Sequence, residues 1–181
     1  MLRTFLAFAL LVWCGVAIGA DLKSGPQMGE MIPGPFHPLN VNGEDAGKKA
    51  CLYCKGGDGP VVAIFARSAD DAKLKKLIAT LEEATVKNAK AELNGFVVFC
   101  SNNDKLQGEL KEFAEKAQLK NVILAIDEPA GPDKYSISKH ADITVVLYKE
   151  RVVKANHSFA KGKLTDKDIE TVSAEIATLV K

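Results

Sequence analysis

Cys51-Leu52-Tyr53-Cys54 sets two thiols three residues apart, close enough to close a small disulfide ring, with Lys48, Lys49 and Lys55 around them. The thiolate is the attacking species in disulfide exchange, and positive neighbours favour it over the thiol. The pair therefore reads as a redox dithiol in which one sulfur attacks and the other resolves. Cys51 is the expected attacker, because the first cysteine of such pairs usually is. Two other chemistries use the same residues. In an exported chain the pair is equally a structural disulfide that pins its loop. With Gly56-Gly57 behind it, Cys51-x-x-Cys54 is also half of a zinc knuckle, although four ligands are needed and no second pair exists. All three readings stay open at this point.

The other reactive side chains are scattered. Cys100 closes an apolar run and reads as a buried core thiol; its sharper reading is a peroxidatic or mixed-disulfide thiol. His37, His140 and His157 stand singly, and their spacing picks out no metal, so no metal site is assigned. Of the three, His157 is the one expected to approach the usual ligand-binding end. Ser68, Asp70 and Asp71 read as helix-start residues before they read as general bases. Asn156-His157-Ser158 matches a glycosylation acceptor. Gly56-Gly57-Asp58-Gly59 resembles neither a phosphate loop nor a dinucleotide fingerprint, because no helix follows directly, and no cofactor is expected.

The chain has 181 residues, a net charge of +1 and a hydrophobic share of 47%, which fits a globular domain. Its first twenty residues carry one charge, Arg3, then an apolar run from Phe5 to Val12 and small residues at Ala17, Gly19 and Ala20. That is the pattern of a secretory signal cleaved near Ala20, and its apolar stretch is too short for stable membrane insertion. Cleavage removes Arg3 and leaves a mature chain with no net charge, so neither nucleic acid nor an anionic membrane is an electrostatic partner. Secretion or a periplasmic location follows. Cys51, Cys54 and Cys100 then remain, an odd number, so one thiol is free or pairs between molecules.

Positioning elements follow from pattern. Residues 21–60 hold Pro26, Pro33, Pro35, Pro38 and Pro60 and read as an extended lead-in that carries the cysteine loop. Residues 61–181 form the regular core. Val61 to Ala66, Phe96 to Cys100 and Val122 to Ile126 are continuous apolar strands. Ser68 is the expected N-cap of a helix bearing Leu74, Leu77, Ile78 and Leu81 on one face. A second helix spans about Asp104 to Gln118, with Leu106, Leu110, Phe113 and Ala117 along its stripe. Ile143 to Tyr148 and Arg151 to Asn156 form a hairpin about Lys149-Glu150. Thr165 and Asp168 cap a last helix. Strand–helix alternation calls for an α/β fold with one mixed sheet and helices on both faces.

This element order, with the phrase Gly34-Pro35-Phe36-His37-Pro38-Leu39-Asn40-Val41-Asn42-Gly43, resembles the thioredoxin-like superfamily, in its secreted redoxin type. The resemblance spans roughly Gly34 to Leu179. It implies a thioredoxin-like three-layer fold, thiol–disulfide exchange, and protein thiols, disulfides or a redox protein as partners. It leaves the oligomeric state open. Two features of the family are absent. The stretch after the first core strand, where the family carries its Cys-x-x-Cys, is Arg67-Ser68-Ala69-Asp70-Asp71-Ala72. Ile143 stands where a cis-proline is usual, and a cis bond at a non-proline residue costs about 2.5–4 kcal/mol, so a trans bond is expected. The cysteine pair instead precedes the first core strand, roughly 20 Å from the usual site if the strand separates them. Those losses leave a rival of another class, a non-catalytic binding or scaffold module with a structural disulfide.

Overall fold

Every residue of the strand Val61–Ala66 is buried, as its unbroken apolar run requires of a strand covered on both faces. The computed structural model describes residues 22–181, so the expected export signal lies outside the described residues. In chain order the elements are β1 (Leu39–Asn40), α1 (Leu52–Gly56), β2 (Val61–Ala66), α2 (Ala72–Lys87), β3 (Asn94–Cys100), α3 (Leu106–Lys116), β4 (Ile123–Asp127), β5 (Ile143–Lys149), β6 (Val152–Phe159) and α4 (Asp166–Leu179). One six-stranded sheet runs β1-β4-β3-β2-β5-β6. β3 is parallel to both β2 and β4, whereas β5 and β1 join as antiparallel strands. This is the mixed sheet expected of the thioredoxin-like α/β fold.

The layers follow from handedness. β2, β3 and β4 lie side by side in sequence order, and right-handed crossovers therefore put α2 and α3 on one face. α4 joins them there. Leu74, Leu77 and Leu81 of α2, Leu110 of α3 and Val172 and Ile176 of α4 pack on Val62, Ile64, Val97, Phe99, Leu124 and Val145. Among the described residues the opposite face has only the five-residue α1, so it is closed by irregular chain. Ile32 and Phe36 of the lead-in, Leu52 of α1, and Tyr135 and Ile137 of the β4–β5 connection cover Val61, Phe65, Phe96 and Tyr148. Phe36 lies edge-on to Phe96 and Tyr135, and the Tyr135 hydroxyl donates to the Gly34 carbonyl at 2.7 Å.

Three local expectations are corrected. The N-cap of α2 is Asp71, whose carboxylate accepts from the Lys73 and Leu74 N–H groups; Ser68 instead accepts from the Asp70 N–H in the preceding loop. An ionised carboxylate facing the first-turn amides is the stronger acceptor. The hairpin turns at Glu150-Arg151, not Lys149-Glu150. Both turn residues adopt positive φ, 55° and 62°, which suits the twist of the flanking strands. The lead-in is not wholly extended, since Leu52–Gly56 is helical. The Thr165–Asp168 capping box is present as expected.

Candidate functional site

Cys51 and Cys54 are joined in a disulfide. Cys51 is the N-cap of α1, and its sulfur accepts the Cys54 backbone N–H at 3.1 Å. The two cysteines are not equally reachable: Cys54 is exposed, whereas Cys51 is only partly so. Leu52 between them is buried and anchors the turn in the core. Behind α1, Gly56 lies so close to β2 that a Cβ there would approach Val61 Cγ2 to 2.5 Å. The loop therefore sits firmly at the N-terminal end of β2.

Charged and aromatic neighbours complete the surroundings. Lys55 pairs with Asp45 at 3.1 Å, which ties the helix to the preceding loop. The Arg151 guanidinium lies 5.3 Å over the Tyr53 ring and pairs with Asp58 at 2.9 Å, so the β5–β6 turn braces the disulfide loop from the other side. Lys48 and Lys49, which precede the pair in the chain, are exposed, and the Lys49 charge acts on the Asp127 carboxyl. Lys49 also forms an isolated antiparallel bridge with Leu39.

The opposite end of the sheet, where the fold usually carries its redox centre, has other chemistry. Arg67 follows β2 directly. Its guanidinium donates to the carbonyls of Ala141 at 3.0 Å, Pro129 at 2.7 Å and Ser138 at 2.9 Å, and so clamps the β4–β5 connection to the sheet. From the sequence this end offered missing cysteines, the helix-start residues Ser68, Asp70 and Asp71, and the thiol of Cys100, but not the arginine clamp. An arginine at the end of a fully buried strand was the available signal. Asp127 and Asp142 flank this end, and burial pushes the carboxyl pKa of each upward. All described peptide bonds are trans, Ile143 included.

Cys100 is 3% exposed, and burial pushes its thiol up to about 12. It is a core thiol, with no reactive thiolate near neutral pH. The histidines stay apart. His37 and His140 are exposed. His157 lies in β6 as the register partner of Val145 and meets Glu175 of α4 at 2.6 Å. Among the described residues no group of three or more His, Cys, Asp or Glu side chains is arranged to hold a metal ion. Both protons of the Asn156 amide go to the carbonyls of Ser24 and Pro26, so the glycosylation-like triplet is occupied in packing the lead-in. No helix among the described residues is long and apolar enough to cross a membrane.

Solved structures share this architecture. A solution structure of a candidate protein disulfide isomerase from Bacteroides thetaiotaomicron superposes with a TM-score of 0.65 at 16% identity, covering 88% of this chain and 94% of that one. A candidate thiol:disulfide interchange protein DsbE from Chlorobium tepidum gives 0.60 at 17%, covering 89% and 100%. A secreted Mycobacterium tuberculosis disulfide oxidoreductase, homologous to E. coli DsbE, gives 0.56 at 12%, covering 80% and 96%. No protein-family model and no curated protein sequence matches the chain. The fold is thioredoxin-like.

Proposed function

We propose that this protein is an extracytoplasmic thiol–disulfide exchange protein acting through Cys51 and Cys54. The carrying observation is a disulfide closed within one short loop, with one sulfur-bearing residue exposed and lysines flanking it in the chain. Such a bond is open to an incoming thiolate, and access is one of the factors that set exchange rates. The extracytoplasmic part rests on the signal-like first twenty residues and on the disulfide, a bond that persists outside reducing compartments. Its partners in this reading are protein thiols and disulfides.

A second reading has its own observation. The pair lies at the N-terminal end of β2, away from the sheet end that Arg67 clamps, and Leu52 fixes it to the core. That placement suits a structural disulfide in a thioredoxin-fold binding module. The reduction potential of the pair separates the two. Equilibration of the mature protein against glutathione buffers, read by thiol trapping, is expected to give a value between about −120 and −270 mV, the range of known exchange catalysts. A value below about −300 mV would mark a structural disulfide instead. Failure to form the bond would redirect attention to metal binding.

A further inference from the structure

We infer that Cys54, and not Cys51, is the sulfur an incoming thiolate attacks, with Cys51 leaving as the thiolate; this rests on the exchange reading above. Two independent features of the loop point the same way. The first is access. Exchange requires the nucleophile to approach along the S–S axis, from the side of the attacked sulfur that faces away from its partner. Cys54 is exposed, while Cys51 is partly covered and followed by the buried Leu52. The second is the leaving group. Cys51 Sγ already accepts the Cys54 N–H at 3.1 Å. That donor is in place before the reaction, and a hydrogen bond to an ionised acceptor is stronger than one to a neutral acceptor. Negative charge arriving on Cys51 is thus met by an existing N–H, and a better-stabilised thiolate leaves faster. Cys54 Sγ has no corresponding donor among the hydrogen bonds of the described residues.

The steps balance with a dithiol protein as partner. Its first thiolate attacks Cys54 Sγ, the Cys51–Cys54 bond breaks, and the electron pair of that bond goes to Cys51 Sγ. A mixed disulfide now joins the partner to Cys54. The partner's second thiolate then attacks its own sulfur in that mixed disulfide and expels Cys54 as a thiolate. The partner is oxidised by two electrons and the Cys51–Cys54 pair is reduced by two. In the opposite direction the same path runs backwards: Cys54 attacks a partner disulfide, and Cys51 resolves the adduct. This order is the reverse of the one expected from the sequence, in which Cys51 attacks.

The test uses the unmodified mature protein with glutathione as the probe thiol. The oxidised protein is mixed with glutathione, quenched in acid at a series of short times, alkylated, and mapped by peptide mass spectrometry. Extrapolation to zero time removes migration of the adduct between the two sulfurs. Glutathione on Cys54 with the alkylating label on Cys51 is expected, in excess of the opposite product by about tenfold. An excess on Cys51, or an even division, would overturn the inference while leaving exchange through the pair intact. If excess glutathione produces neither adduct nor free thiols, both the inference and the exchange reading fall.

Discussion

Asp127 ends β4 beside the end of β3, where Cys100 is its register partner, and its carboxyl is pushed up chiefly by burial against a backbone hydrogen bond from Glu128. A carboxyl whose folded pKa is raised holds its proton more tightly in the folded state than in the unfolded chain. Its contribution to stability is full below the ordinary aspartate pKa of about 3.9 and is lost as pH rises through the folded value. Asp127→Asn keeps an oxygen for the Glu128 N–H and removes the charge. Thermal melts should therefore show the variant above the parent at pH 7, with the difference closing below about pH 4. Equal melting temperatures at pH 7 would show that the charge costs the fold nothing. Asp166 has the opposite sign. Hydrogen bonds from Lys73 and then Lys76 hold its carboxyl down to about 2, so its contribution is present above the ordinary range and fades in acid. At this scale the sequence was informative where chemistry is local. A disulfide between residues three apart is visible in a four-letter phrase. The Arg67 clamp is not, because its acceptors lie 62 to 74 residues further along and are backbone carbonyls, which carry no residue identity.

The short helix α1 shows how an element can depend on a single missing side chain. Gly56 ends it against Val61, a residue buried at the start of β2 with a branched side chain that has no space to yield. Gly57, next in line, has positive φ of 53° but open space around a would-be Cβ. The two glycines should therefore respond differently. Gly56→Ala overpacks the junction and is expected to cost about 1–3 kcal/mol; it should also speed reduction of the disulfide, because α1 must move away from β2. Gly57→Ala meets only the penalty of a glycine-favouring backbone conformation, φ 53° and ψ −133°, about 1–3 kcal/mol, and should leave the disulfide kinetics unchanged. Urea denaturation and glutathione reduction rates of the two variants check this, and matching kinetics in both would mean that contact with β2 does not position the pair. The cysteine segment was read from sequence as a loop of an extended lead-in, and α1 was missed because five residues are too few to show a helical period. The long helices α2 and α4 were legible since their apolar positions recur over several turns. Strand ends and caps moved by one to three residues, as from Ser68 to Asp71 at the start of α2 and at Glu150-Arg151, where the backbone conformation and not residue type fixed the turn.

Across the whole molecule, the class of fold could be read from alternating apolar strands and amphipathic helices, but the unequal covering of the sheet could not. Three helices sit on one face, and the other is sealed by Ile32, Phe36, Leu52 and Tyr135, which come from segments with no period to detect. This arrangement decides how much the disulfide contributes to folding. Its ring spans four residues, and closing so small a loop restricts the unfolded chain by only about 2 kcal/mol on the chain-entropy account. The rest of the lower face is held by contacts that do not involve either sulfur: the Phe36–Phe65–Tyr135 cluster, the Tyr135 bond to Gly34, and the Arg67 clamp. Reduction should then lower the melting temperature by about 4–8 °C, given about 2–4 °C per kcal/mol for a chain of this size. Unfolding should stay cooperative. That outcome is what exchange requires, because a protein that passes electrons through a dithiol must remain folded in both states. Calorimetry of the oxidised protein and of the protein held in excess reductant measures it directly. Collapse of the transition on reduction would make the bond a staple on which the fold depends, and the binding-module reading would displace exchange.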